Sequence, residues 1–481
     1  MRNEYENPAA PFGTEKPIMP AKKYEMDMCH GPIGIMLLKF ILPLLLTNAL
    51  QRCFLLADLV VIGRFADYRS LAAVGSVGHA STLIVDLFIG IAAGTSVVAA
   101  QAYGAGDRKR FSQVVRTSVI SAWWGGIALM ILGLAVSYPL LKLLNTPEDI
   151  FGRAFCYQMI TFVGIPVQLL GNVGFALLRA VGDTRRPLVI LSISGVINVV
   201  LNVLLVACFR LDVAGVAIAT VVSQAFSVVL LYRLMRDPGE TCHLRLRGMP
   251  FDWRIFWEIM KIGLPSGAQC SCFAISNITI QASINGFGSL AVAGHTAASS
   301  IMGFVWVANA SFHGATVAFV AQNYGGGQYH RIRSSIAWCV TSGVLTAAAL
   351  GLLFFFFGPE LLAIFNPDPK VIEWGMIYFG VMCFTSAIGG FMDVIGAALR
   401  GLGHSLTPAL STLLGTCFFR IFWVWAIFPH WHSYRGLIFS YPVSWLLIGV
   451  FNAVVLAYFC RKLFRDKVHS RHISIARRAG N

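Results

Sequence analysis

The chain has 481 residues, 57% of them hydrophobic and only 12% charged, with a mean hydropathy of +0.70; a soluble domain would carry roughly twice that charged fraction. Lys and Arg outnumber Asp and Glu by 37 to 22, a net +15, but the basic residues collect in alternate loops, as in membrane proteins whose cytoplasmic loops face anionic lipid. These figures exclude a soluble enzyme and give no reason to invoke nucleic acid, and the lack of segments of about 10 alternating residues excludes an outer-membrane barrel.

Residues 1–35, which include Pro8, Pro11, Pro17 and Pro20, read as a cytoplasmic N-terminal tail, disordered through residue 30. A signal peptide would place its apolar core earlier and follow it with a cleavage site. A spanning helix needs about 20 apolar residues. Such stretches fall at 36–63, 72–101, 114–137, 151–178, 187–209 and 213–235, an N-terminal six-helix bundle over 36–235. A polar connector, 236–254, leads to stretches at 255–284, 291–322, 335–357, 371–399, 407–428 and 436–460, a C-terminal bundle over 255–460, and a basic tail over 461–481. The chain therefore reads as an all-α integral membrane protein with twelve transmembrane helices.

Arg108, Lys109 and Arg110, then Arg179, Arg185 and Arg186, then Arg236, Arg245 and Arg247 fall on one side, with Arg331, Arg333, Arg400 and the C-terminal basic residues. The loops at 145–149 and 285–288 on the other side are poor in them. The positive-inside rule then puts both termini in the cytoplasm, and the expected location is a bacterial inner membrane.

The two halves repeat. Ala100–Gly106 (AQAYGAG) returns as Ala321–Gly327 (AQNYGGG), and Leu178–Pro187 (LRAVGDTRRP) as Leu399–Pro408 (LRGLGHSLTP), both 221 residues on. Ser70–Gly75 matches Ser289–Gly294 at an offset of 219. Six spans per half make the repeat parallel, with a pseudo-two-fold axis along the membrane normal. Two bundles facing across a cleft are the architecture of an alternating-access transporter.

A charge near the bilayer centre costs at least about 2.5–3.5 kcal/mol on insertion scales. Acids well inside the spans are few: Asp58, Asp86 and Asp393. At 1.5 Å per residue, Asp58 lies roughly 9 Å below the outer end of its helix, Asn202 roughly 12 Å and Thr220 roughly 10 Å. A carboxylate, an amide and a hydroxyl thus share one layer of the N-terminal half, and Asn198 stands one turn from Asn202 on the same helix face.

The run Pro43…Gln51…Ala57–Gly63 (ADLVVIG), with Leu71–Gly75, Ala100-Gln101…Gly104, Leu178-Arg179…Gly182-Asp183-Thr184 and Val213–Thr220 (VAGVAIAT), resembles the MATE family, the multidrug and toxic compound extrusion antiporters, from about Pro43 to Cys460. The resemblance is closer to the DinF-like than to the NorM-like branch, whose C-terminal half has acids in spans 7 and 10; here span 7 has only Glu258, at its cytoplasmic end. The resemblance implies antiport of organic cations or amphipathic compounds against protons or sodium. It also implies a cation or proton-coupling site at Asp58, Asn198, Asn202 and Thr220. Oxygen ligands suit a hard cation, while a carboxylate withdrawn from water binds a proton more readily. Many relatives carry a second Asp where this chain has Asn202, and its loss weakens a sodium cage more than a protonation switch, which favours protons.

Family analogy adds bending of the first span at Pro43, which removes a backbone hydrogen bond. Substrate-cleft candidates are Gln51, on the Asp58 face, and Gln269, Asn277, Gln281, Trp306, Asn309 and Asp393; ring faces favour flat cations. Asp393 and Arg420 could form a buried pair. Arg52 has no assigned role, and Asp86 is either cleft-lining or a packing residue. The eleven cysteines, including Cys270 and Cys272, and the separated His295 and His313 read as packing residues without metal-ligand spacing. No GxxxxGK[ST], GxSxG or HExxH motif occurs, so neither ATP nor a hydrolytic centre is expected. The expectation is a non-enzymatic, cofactor-free monomer whose partners are small molecules and the bilayer. The alternative is a flippase for a lipid-linked envelope precursor, which would need several cationic groups in its cleft, where only Arg52 and Arg420 lie deep.

Overall fold

In the computed structural model, residues 23–143, 146–244, 251–431 and 433–479 are described; the expectations for Arg245, Arg247 and Asn145 fall outside them. Among these residues the chain is helical with no strand. Lacking water to satisfy backbone groups, the bilayer interior leaves a helical segment little alternative.

Spans 1 to 6 are Ile33–Phe65, Tyr68–Gly104, Arg108–Lys142, Glu148–Ala180, Arg185–Cys208 and Asp212–Met235. Spans 7 to 12 are Trp253–Asn285, Ser289–Gly325, Tyr329–Phe356, Pro369–Gly401, Leu406–His430 and Tyr434–Leu463. Ten are long and apolar enough to cross a membrane by length and composition. Spans 2 and 7, the remaining pair, run along one another, with span 2 also on spans 4 and 8. A short helix, Gly358–Ala363, caps the turn between spans 9 and 10.

Spans 5 and 11 are not uniform α-helices. Span 5 passes into a π-helical turn at Val203–Cys208 directly after Asn202, and span 11 contains two, at Leu413–Phe418 and Trp423–Ile427. Such turns release i→i−4 bonds and often mark functional positions. Pro43 in span 1 and Pro265 in span 7 stand at near-equivalent points of the repeat, inside their helices.

The two halves meet most closely toward the Arg-rich end, called here the basic end. A Cβ on Gly90 would lie 2.1 Å from the Gly263 carbonyl oxygen, and one on Gly94 would lie 2.2 Å from that of Ile259, so spans 2 and 7 touch backbone to backbone. Span 2 meets span 8 in the same way, Gly104 against the carbonyl of Gln322 and Gly325 against that of Gln101. Gln101 Nε2 donates to the Gly401 carbonyl at 3.0 Å and Gln322 Nε2 to that of Ala180 at 2.7 Å. Arg110 pairs with Glu258 across the same end. A separate core joins Leu37, Phe40 and Leu44 of span 1 to Phe312, Ala315 and Phe319 of span 8.

The expectation of a disordered tail through residue 30 fails over its last part. The Met26 N–H donates to the Val181 carbonyl, the Met28 N–H to Gln322 Oε1, and the Met28 carbonyl accepts from Asn323 and Arg331. Met28 is fully buried. Backbone groups that find partners on both halves, with an apolar side chain to bury, give this segment a reason to order.

Candidate functional site

The polar layer expected in the first bundle is continuous. Asn202 Nδ2 donates to Asp58 Oδ1 at 2.5 Å and lies 3.3 Å from Asn198 Oδ1; Asn198 Nδ2 donates to Thr220 Oγ1 at 3.4 Å. Spans 1, 5 and 6 each supply part of it, and the 198/202 spacing stacks the two amides on one face of span 5. Asn202 is fully buried, while Asp58 and Thr220 are half-buried. Asn202 Oδ1 has no hydrogen-bond donor. The layer therefore holds a carboxylate answered by an amide rather than by a cation, beside an unanswered carbonyl oxygen and a hydroxyl. Those oxygens can take a hard cation, or the carboxylate can take a proton. Tyr157 of span 4, which sequence reasoning did not single out, lies close enough to Asp58 to interact electrostatically; its approach depends on the rotation of span 4 about its axis.

Gln51 does not join this layer. It lines a cavity of about 90 Å3 with Leu44, Thr47, Asn172, Arg179 and Thr184 between spans 1, 4 and 5. Arg179, read from the sequence as a loop cation, belongs to the last turn of span 4. Arg52 packs its guanidinium against Gly303 of span 8, with Nε buried and unpartnered.

The C-terminal candidates each have their own local neighbours. Gln269 Oε1 accepts from Arg400, whose other terminal nitrogen contacts His313 Nε2 at 2.8 Å. The expected Asp393–Arg420 pair does not form. Arg420 donates to Ser444 and Ser276 and stacks over the Tyr441 ring, while the cation nearest Asp393 in its electrostatics is Arg400. Spans 10 and 11 turn these residues toward different neighbours, which residue depth alone does not reveal. Trp306 packs edge-on against Trp445 and along Gly389. Asn309 is buried against Gly390 with both polar atoms unpartnered. Asn277 is exposed and accepts from Tyr441, and Gln281 donates to Asn285. His295 bonds Tyr434. The side chain of Asp86 is outside those described. Among the described residues no group of three or more His, Cys, Asp or Glu could hold a metal ion.

The MatE family profile matches residues 43–204 and 265–425, one match in each half of the repeat. Two relatives from Bacillus subtilis are similar over most of their length. One, named probable multidrug resistance protein YoeA, is 26% identical over 78% of this chain and 82% of its own. The other, probable multidrug resistance protein YpnP, is 26% identical over 87% and 94%. A solved structure described as the outward-facing conformation of a multidrug resistance MATE family transporter of the MOP superfamily superimposes with a TM-score of 0.87 at 19% identity, covering 93% of this chain and 100% of that one. With twelve helical spans in two matching halves, each carrying its own match, the chain belongs to the MatE family of membrane transporters.

Proposed function

We propose that the protein is a secondary antiporter of the bacterial inner membrane that exports organic cations or amphipathic compounds by alternating access, with Asp58 as the coupling group. The observation that carries this reading is the connected layer Asp58–Asn202–Asn198–Thr220 inside the first bundle. Among the described residues no guanidinium pairs with that carboxylate, so entry of a cation or proton changes the local charge by a full unit. Only a difference in affinity between two arrangements of the helices can shift their populations, and cargo that competes with the coupling ion supplies one. Proton coupling is the simpler form, because an amide stands where a second carboxylate would complete a sodium cage.

The halves are sealed at the basic end by the glycine contacts of spans 2, 7 and 8. If that end is cytoplasmic, as the distribution of Lys and Arg favours, this arrangement opens outward. The span 7 acid Glu258 is engaged with Arg110 at the surface, in keeping with a DinF-like chain whose coupling is confined to the first bundle. The flippase alternative is weakened by Arg420, which is enclosed by serines and Tyr441 in the second bundle.

The test is export of an ethidium-type dye from energised vesicles with sodium and pH gradients imposed separately. Wild type is expected to respond to the pH gradient, and Asp58→Asn to fall to background at equal membrane abundance. Equal transport by Asp58→Asn would remove the coupling assignment, and indifference of wild type to both gradients would remove antiport.

A further inference from the structure

The cavity lined by Gln51 lies about 10 Å nearer the basic end than Asp58, seven helical residues away along span 1. Its chemistry is one-sided. Arg179 is the charged residue of its lining, Gln51, Asn172 and Thr184 can each donate to a guest, the Thr47 hydroxyl is already spent on the Pro43 carbonyl, and no Asp or Glu lines it. Arg179 makes no ion pair among the described residues. The acid closest in sequence, Asp183, is fully buried and bound to the N–H groups of Arg185 and Arg186 and to the Arg186 guanidinium.

The repeat supplies a comparison within the same chain. Arg400, the counterpart of Arg179 at an offset of 221, is engaged by Gln269 and His313 with Asp393 in electrostatic reach. The second bundle thus compensates its cation internally, while the first leaves the equivalent guanidinium facing open space. A cation withdrawn from bulk water is costly without such compensation.

We propose that this cavity binds an oxyanion of the phosphate or carboxylate type, held by the Arg179 guanidinium with Gln51 and Asn172 as amide donors. The planar fork of Arg matches two oxygens of such a group. A volume of about 90 Å3 admits an anionic headgroup, whereas drug-sized ligands need pockets of about 300–1,000 Å3. The anion is either carried by a soluble molecule or belongs to a lipid. The site extends the proposed cargo to amphiphiles that also bear an acidic group; that step rests on the antiport reading, while the binding itself does not.

Calorimetric titration of the delipidated full-length protein in detergent with inorganic phosphate and phenyl phosphate, at constant ionic strength, tests it. Saturable binding is expected in wild type, weakened at least about tenfold in Arg179→Gln, the loss of one charge-assisted hydrogen bond. Arg179→Lys is expected to fall between them, since it keeps the charge but not the fork. Should Arg179→Gln fail to fold, Asn172→Leu and Gln51→Leu, which retain the cation, are each expected to weaken binding. Repeating the titration in phosphatidylcholine nanodiscs with and without phosphatidylglycerol separates the sources: suppression by phosphatidylglycerol identifies a lipid headgroup, and persistence identifies a soluble anion. No saturable phosphate binding in wild type, or equal binding by Arg179→Gln or by both amide variants, overturns the proposal. Dye export without phosphate binding overturns it while leaving the antiport reading standing; phosphate binding through Arg179 without gradient-driven export does the reverse.

Discussion

Asp58 faces Asn202 across 2.5 Å, and the identity of residue 202 decides how much charge the layer can hold. An amide donates to the carboxylate and leaves its own oxygen unanswered; an aspartate there would place two like charges in contact, which cannot both stay ionised without a cation between them. Asn202→Asp is therefore expected to create a sodium dependence. Sodium should raise the thermal unfolding temperature of the variant in detergent by clearly more than that of wild type, at equal ionic strength set with choline. An identical sodium response in the two proteins would show that residue 202 does not face the cation. Asn202→Leu acts oppositely, leaving a carboxylate with no donor, and is expected to cost about 1–3 kcal/mol of stability in the same measurement above the pH at which Asp58 ionises.

At the scale of helices, the contact of spans 2 and 7 depends on what their side chains lack. Cβ atoms at Gly90 and Gly94 would fall 2.1 and 2.2 Å from backbone oxygens of span 7, and backbone inside a packed helix pair cannot swing aside as a side chain can. Gly94→Val is expected to destabilise the protein by about 1–3 kcal/mol, the usual cost of overpacking. Gly380 has nothing within 4 Å of its would-be Cβ, so Gly380→Ala should stay within about 0.5 kcal/mol of wild type. Thermal unfolding of the two side by side checks the difference, and equal loss would mean that the helix contact is not tight. Spans of this kind are legible from sequence because the bilayer fixes their length and forbids other structure. The Asp58 layer is legible for a related reason, since depth along a helix follows from residue count. Rotation about the helix axis does not. That is why the Asp393–Arg420 pairing fails and why the sequence does not place Arg400 and His313 beside Gln269; Arg179 is a different case, because span 4 continues two residues past the apolar stretch that ends at 178 and takes Arg179 into its last turn.

For the whole molecule, the seal at the basic end includes more than the twelve spans. Met26, Met28 and Gly31 bond to residues of both halves, the N-terminal half through Val181 and the C-terminal half through Gln322, Asn323 and Arg331. Any motion that parts the halves at this end must break some of these bonds or carry the segment with one half. Cys29 sits in the middle, 1% exposed, its Sγ against the Gln322 carbonyl. Burial, with Asp27 adding to it, pushes its thiol up to about 12, well above the usual range, so at neutral pH almost no thiolate is present to react. Cys29 should consequently resist maleimide while the basic end is closed. Parting the halves returns it to water, where its thiol reverts toward an ordinary value near 8.5 and the reactive fraction rises steeply. Peptide-resolved mass spectrometry follows Cys29 separately from Cys53, Cys156 and Cys208, which lie within spans 1, 4 and 5. In vesicles, the Cys29 labelling rate is expected to rise under conditions that drive turnover, relative to the resting protein. A rate at Cys29 in the resting protein equal to that in the denatured protein would show that the segment does not seal the closed end. A rate that stayed low throughout turnover would show that the halves separate without releasing it, the segment travelling with the half that carries Gln322.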